Sequence, residues 1–205
     1  MNTKNITGLG KTPGRKLMVS VFVSLDGVIQ DPGGFGETPQ GGWANPYFTK
    51  EAEEASYEAL MASDYFLCGR VTYELLSKAW GNVKGGRYLE RMNSMPKLVA
   101  SRTLSEPLTW NASLLLGDVV ETITRLKSEP GQAIEMYGSG NLLQTLMKHN
   151  LVDEFRLWVH PVVLGSGKRL FPEQGEVASL RLVSSQTLSS GVAVLVYVPG
   201  KANAK

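Results

Sequence analysis

Hydrophobic and polar residues fall in blocks along this chain. "RKLMVSVFVSL", Arg15 to Leu25, is a valine-rich run ended by the Asp26-Gly27 turn signal, the pattern of a strand buried on both faces. From Thr49 to Ala62 the period becomes helical, with Thr49 placed as cap and Glu51, Glu53 and Glu54 near the positive end. At about 100° per residue, Glu51, Glu54 and Glu58 share one side, whereas Glu53 points away with Ser56, Tyr57 and Leu60. "DYFLC", Asp64 to Cys68, predicts a second strand, and "TYELLSKAW" starts a helix that ends by Gly81. "PKLVAS", Pro96 to Ser101, predicts a third strand. "GDVVETITRLKSEPG" predicts a helix capped by Asp118, with Val119, Val120, Ile123 and Leu126 at helical spacing and a Pro-Gly stop. "AIEMYGSGNLLQTLMKHNLVDEFRLWVHPVVLG" then gives strand, glycine turn, helix and strand. The closing "LRLVSSQTLSSGVAVLVYV" gives two strands around Ser189-Ser190-Gly191.

Strands alternating with helices, closed by an all-strand end, predict an α/β fold. Its mainly parallel sheet is covered on both faces and carries an antiparallel C-terminal edge. No repeat or linker divides it, so one domain is expected over residues 15–199, with tails at 1–14 and 200–205. In such sheets ligands bind beyond the carboxyl ends of the strands. Residues 31–46, "DPGGFGETPQGGWANP", hold five glycines and three prolines around Phe35 and Trp43, which predicts a long loop of the kind that forms lids.

Composition narrows the function. With 205 residues, 42% hydrophobic and 20% charged, the chain can bury a full core. The net charge of +2 is spread without a basic stripe or reading motif, which argues against nucleic-acid binding and leaves a small anionic ligand. One cysteine, Cys68, forbids an internal disulfide, and two histidines far from ligand spacing make a metal site unexpected. The first fourteen residues lack the apolar core of a signal peptide, and no stretch approaches the roughly 18 apolar residues of a membrane span. A cytoplasmic protein with no membrane partner is expected.

Two turns share one design. At "FLCGRVTYE" and "EMYGSGNLL" an apolar strand meets glycine and a helix follows at once. Glycine lets a ligand approach the backbone, and the first N–H groups of a helix favour an anion such as phosphate. Arg70 adds a planar charge, and Thr72 can cap its helix or bond a phosphate oxygen. "SRT" after the third strand offers Ser101 and Arg102, a hydroxyl and a guanidinium suited to the 2′-phosphate that separates NADP from NAD. Two such turns could hold the two ends of a dinucleotide.

Similar-looking motifs fail on their spacing. "GSGNLL" lacks the third glycine of the Rossmann fingerprint, and neither "GKT" at Gly10 nor "GSGK" at Gly165 completes a P-loop. There is no G-x-S-x-G elbow; His160, before Pro161 at a strand end, reads as a structural histidine, and Cys68 as an inert core thiol.

In order, "SLDGVI", "GRVTYE", "SRT", "YGSGNLL", "LVDEFRLWVHPVVLGSGKRLF" and the closing hairpin resemble the dihydrofolate reductase superfamily. The likeness is greatest to the branch that contains the reductase domain of bacterial riboflavin biosynthesis and its stand-alone relatives, and it runs from Lys16 to Val198. The resemblance implies a three-layer α/β/α fold, NADPH as hydride donor and a homodimer. It implies that Gly69, Arg70 and Thr72 hold cofactor phosphates, with Arg70 near the 2′-phosphate and Ser101 and Arg102 flanking it. Gly138, Ser139, Gly140, Asn141 and Leu142 would wrap the pyrophosphate, and Val23 and Ser24 would lie beside the nicotinamide. Dihydrofolate reductases carry a helix carboxylate that binds and helps protonate the pterin, about sixteen residues before this motif; here it falls on Glu53, the catalytic residue that the resemblance implies. The riboflavin branch does not rely on it, and the fused deaminase of that branch is absent from this sequence. A small pterin- or pyrimidine-like substrate is implied, lined by Glu53, Asp26, Trp43 and Tyr57 beneath the 31–46 loop. Two functions stand at this point: an NADPH-dependent reductase, of which the riboflavin-pathway uracil reductase is one form, or a nucleotide-binding module without turnover.

Overall fold

The computed structural model describes residues 14–171 and 177–200, so the expected tails lie outside the described residues except for Gly14 and Gly200. The elements are β1 (Leu17–Ser24), α1 (Lys50–Met61), β2 (Ser63–Gly69), α2 (Arg70–Trp80), α3 (Arg87–Ser94), β3 (Lys97–Ala100), β4 (Ala112–Leu114), α4 (Val119–Ser128), β5 (Ala133–Tyr137), α5 (Gly140–Lys148), β6 (Glu154–His160), β7 (Leu180–Thr187) and β8 (Ala193–Pro199). They form one sheet in the order β4-β3-β2-β5-β1-β6-β8-β7. The run from β4 to β6 is parallel, and β8 and β7 close it antiparallel.

The caps read from the sequence are present. The Thr49 side chain accepts the Ala52 N–H, and Asp118 accepts those of Val120 and Glu121. The α3 helix and β4 are additions that the hydrophobic pattern does not announce.

Alternation along the central strands sends side chains to two layers of helices. On one face Leu17, Val19, Val21, Ile134 and Met136 pack against Ile123 and Leu126 of α4 and Leu143 and Leu146 of α5. On the other, Phe66, Cys68 and Val99 pack against Leu60, Tyr73, Tyr88 and Met92 of α1, α2 and α3. Each such side chain contributes roughly 1.5–3 kcal/mol through burial. Among the described residues no helix is long and apolar enough to cross a membrane, and no cluster of potential metal ligands occurs.

Both residues read as inert are buried. Burial pushes the Cys68 thiol up to about 12. His160 lies with Nδ1 2.8 Å from the Trp158 carbonyl among the rings of Phe22, Trp43 and Tyr47, and burial lowers its pKa.

The 31–46 stretch is irregular apart from a 3₁₀ turn at Asn45–Tyr47, and it is organised around Asp31, which is fully buried. The Asp31 carboxylate accepts the backbone N–H groups of Phe35 (2.6 Å), Glu37 (2.9 Å) and Thr38 (3.1 Å). Its carbonyl accepts those of Gly34 and Gly42.

Candidate functional site

Strand β5 inserts between β1 and β2, and this places the two glycine turns side by side at the carboxyl ends of β2 and β5. Ser139 joins them. Its Oγ accepts the Gly69 N–H at 2.8 Å and donates to Thr72 Oγ1 at 2.9 Å. Gly138 and Ser139 both have left-handed backbones (φ 55° and 56°), a conformation that costs a non-glycine residue about 1 kcal/mol and is offset here by the two hydrogen bonds.

The α2 and α5 helices begin at this clasp, with Gly69 and Ser139 in the cap positions and no side chain capping either. By contrast α1 and α4 are capped by side chains. The α3 helix also lacks a side-chain cap; Tyr88 and Leu89 of its first turn line the cleft described next, and its capping residue, Gly86, lies beside Glu53. A Cβ at Gly69 would meet Ser139 Oγ at 3.5 Å, an ordinary contact, so packing does not require this glycine. What it leaves clear is the approach to the first N–H groups of α2, and helix starts of this kind favour anions.

Both turns open into one cleft of about 1540 Å³. That exceeds the roughly 300–1,000 Å³ of a pocket for one drug-sized ligand and suits an extended ligand with a second molecule beside it. Polar residues of its lining include Arg70, Thr72, Ser101, Arg102, Ser139 and Asn141. Apolar and aromatic residues include Phe22, Phe35, Phe48 and Trp158, and Glu53 and Tyr88 also line it. Glu53 therefore reaches the cavity, as its separation from Glu51 and Glu54 implies. Those two are engaged elsewhere, Glu51 with the Ser189 N–H and hydroxyl and Glu54 with Arg87.

Each expected cofactor residue has a definite place. Gly69, Arg70, Thr72, Ser101, Arg102, Gly138, Ser139, Gly140, Asn141 and Leu142 all line the cleft. Arg70 is half-exposed and pairs with Glu74 at 2.8 Å, an i,i+4 surface pair worth only about 0.3–0.5 kcal/mol that a ligand can displace. Arg102 makes no ion pair among the described residues. Ser101 Oγ accepts the N–H groups of Thr103 and Leu104, so it shapes the turn that presents Arg102.

Five of the expected residues lie outside the cleft lining. Val23 and Ser24 do not reach the cleft; Ser20, Val21 and Phe22 do. The end of β1 is covered because Ser24 exchanges backbone and side-chain hydrogen bonds with Val28. Asp26 also lies outside the lining and holds a loop: its carboxylate accepts the Ser24 hydroxyl and the N–H groups of Leu164 and Gly165. Those bonds hold its pKa down to about 2. Trp43 is buried beside His160, its indole N–H donated to the Gln30 carbonyl at 2.8 Å. Tyr57 lies under the Arg87 guanidinium, 4.6 Å from its ring centroid, because α3 packs over that part of α1.

Three further residues lie in or next to the lining. Lys168 and Arg169 reach the cleft from "GSGKRLF", where two cations are adjacent in the sequence. Glu135, a buried carboxylate in the middle of an apolar strand, is bonded to Ser20 of the lining.

The strand order and the clasped double turn define a dihydrofolate reductase-like α/β protein. The chain belongs to the RibD C-terminal domain family, whose model matches residues 15–194. It is 32% identical to the uncharacterized protein YyaP of Bacillus subtilis (strain 168) over 197 residues, covering 89% of this chain and 94% of that one. Among solved structures it is similar to a Shewanella sp. PV-4 protein assigned to riboflavin biosynthesis, with 23% identity, a TM-score of 0.67 and coverage of 91% and 99% of the two chains. It is also similar to a pyrimidine reductase-like protein of Corynebacterium diphtheriae, with 12% identity, a TM-score of 0.64 and 96% coverage of each chain. Against the Thermotoga maritima diaminohydroxyphosphoribosylaminopyrimidine deaminase/5-amino-6-(5-phosphoribosylamino)uracil reductase it has 14% identity and a TM-score of 0.61, and it spans 91% of this chain but 57% of that one.

Proposed function

We propose that this protein is an NADPH-dependent reductase of a small heterocycle of the pyrimidine or pterin class. The observation that carries the reading is the pair of uncapped helix starts, clasped by Ser139, that open into a cleft also lined by Phe22, Phe35, Phe48 and the Glu53 carboxylate. Family membership and the reductase named for the Thermotoga maritima relative support it.

The residues fit a dinucleotide phosphate. The N–H groups at the starts of α2 and α5 would take the pyrophosphate, with Thr72 and Asn141 beside them, while Arg102 and Arg70 would take the 2′-phosphate. When bound, NADPH supplies the hydride. The protein would orient the heterocycle between Phe22, Phe35 and Phe48, with Glu53 accepting hydrogen bonds from its ring or exocyclic N–H groups. The 31–46 loop, which contributes Pro32, Gly33 and Phe35 to the lining, would limit water.

The test is NADPH oxidation followed by absorbance in the presence of pterins and aminopyrimidines, including the ribosylamino-pyrimidine of riboflavin synthesis. Oxidation dependent on one of these substrates is the expected result. Saturable NADPH binding with no oxidation across the panel would replace the reductase by a nucleotide-binding module, and reduction of other substrates but not the ribosylamino-pyrimidine would exclude the riboflavin-pathway role.

A further inference from the structure

Glu135 stands in the middle of the sheet, on β5 between β1 and β2, and its side chain is fully buried. In register with it are Met18 and Phe66, both apolar. A lone carboxyl at such a position costs several kcal/mol if ionised, so a purely structural role would be better filled by an apolar residue.

Its hydrogen bonding is half complete. One oxygen, Oε1, is bonded to the Ser20 hydroxyl; the other, Oε2, is enclosed and has no partner. Ser20 lines the cleft, and so does Tyr137, two residues on from Glu135 on the same face of the sheet. Glu135 is thus one side chain removed from the space where the heterocycle would lie.

The groups facing Glu135 do not keep it ionised. On β6, Arg156 pairs with Glu154 at 3.1 Å, so the two largely cancel. Tyr88 from α3 and Tyr137 of β5 are phenols that burial holds neutral, interacting with each other and with Glu135; Glu53 from α1 acts on Tyr88. Burial, outweighing the Ser20 hydroxyl and Arg156, raises the Glu135 pKa to about 7.

We propose that Glu135 is the proton store of the reduction and delivers its proton to the substrate through the Ser20 hydroxyl. This inference rests on the reductase reading above. Hydride addition to an unsaturated ring carbon places the electron pair of the broken π bond on the adjacent nitrogen, which takes the Ser20 Oγ proton. Ser20 regains a proton from the Glu135 carboxyl, leaving a carboxylate, and that carboxylate is reprotonated from water through the open cleft after product leaves. Two electrons and one proton enter with the hydride, the second proton comes from Glu135, and the substrate gains two hydrogens. Glu53, which lines the cavity, then binds the substrate without being the source of the proton.

Three measurements on the full chain test this, using wild type, Glu135→Gln and Ser20→Ala. Infrared titration of the protein without ligand should show an un-ionised carboxyl C=O band persisting to near neutral pH that Glu135→Gln removes and Ser20→Ala retains. With NADPH and an accepted heterocycle, wild-type kcat should fall roughly tenfold per pH unit above neutrality. Both variants should lose about 100-fold or more in kcat and lack that pH dependence, with NADPH affinity unchanged. Ser20→Ala leaves the buried acid in place, so it keeps the test intact if Glu135→Gln folds poorly. Absence of the infrared band overturns the proposal, as does a variant with wild-type kcat and pH profile. Failure of wild type to oxidise NADPH at all identifies the reductase reading as the point of failure and removes the proposal with it.

Discussion

Asp31→Ala is expected to destabilise the fold by about 3 kcal/mol and to raise the KM for the heterocycle far more than that for NADPH. The carboxylate of Asp31 is the common acceptor for Phe35, Glu37 and Thr38, and hydrogen bonds to charged acceptors contribute about 1.5–3 kcal/mol each before the loosened loop recovers some of them from water. Alanine also fits poorly at the positive φ of 51° found there. Gly41 packs so closely against the same carboxylate that an added Cβ would clash with Asp31 Oδ2, so Gly41→Ala should show the same phenotype. Since Phe35 and Gly33 line the cleft from this loop while Arg102 and Ser139 belong to other loops, the defect should separate substrate from cofactor. Asp31→Asn should be intermediate, because a single amide oxygen cannot serve donors that approach both carboxylate oxygens. Urea unfolding and a KM for each substrate check this, and a loss below about 1 kcal/mol would show that the loop is held by something else.

The second large effect is on pH-dependent stability. Folded Glu135 titrates near 7, against 4.5 for an ordinary glutamate, chiefly because it is buried. Between those values the folded chain holds a proton that the unfolded chain has released, so stability is fullest below 4.5 and falls as pH rises through 7. The loss should total roughly 3 kcal/mol, and Glu135→Gln should abolish it. His160 acts in the opposite sense: its pKa is lowered from 6.5 by burial, so it removes stability as pH falls below that value. The decisive quantity is therefore the difference between wild type and Glu135→Gln across pH 4.5–8, which cancels the histidine. Lys97, lowered to about 8, changes stability only above that window, and Asp26 only below it. A wild-type-minus-variant difference that does not vary with pH would mean that Glu135 titrates normally.

The parts of the fold legible in the sequence are those governed by local chemistry. Apolar runs give β1 and β2, Thr49 and Asp118 mark helix starts, and the two strand-glycine-helix turns fall on the cleft. Sheet order is not local: nothing in "AIEMY" says that β5 pairs with both β1 and β2, yet that insertion brings Ser139 to Gly69. The α3 helix has eight residues, with only Tyr88 and Met92 buried, and is held by tertiary packing, as is the three-residue β4. Tyr57 lies under Arg87 of α3, and a helical wheel gives a side chain's direction and not what covers it. The end of β1 behaves in the same way, because Val28 folds back on Ser24 at a strand end that the pattern leaves open. Glu135 was visible as a letter, but its meaning depends on Ser20, 115 positions away.

The central claim is that the clasped turns hold a dinucleotide bearing a 2′-phosphate. Calorimetric titration of the full chain with NADPH and with NADH, at one fixed ionic strength, tests it most directly. NADPH should bind at least about tenfold tighter, a difference of about 1.4 kcal/mol. Arg102→Ala should remove most of that preference, and Arg70→Ala, whose guanidinium already has Glu74 as partner, should remove less. Equal affinities would contradict the assignment of the 2′-phosphate, and no binding of either nucleotide would contradict the site.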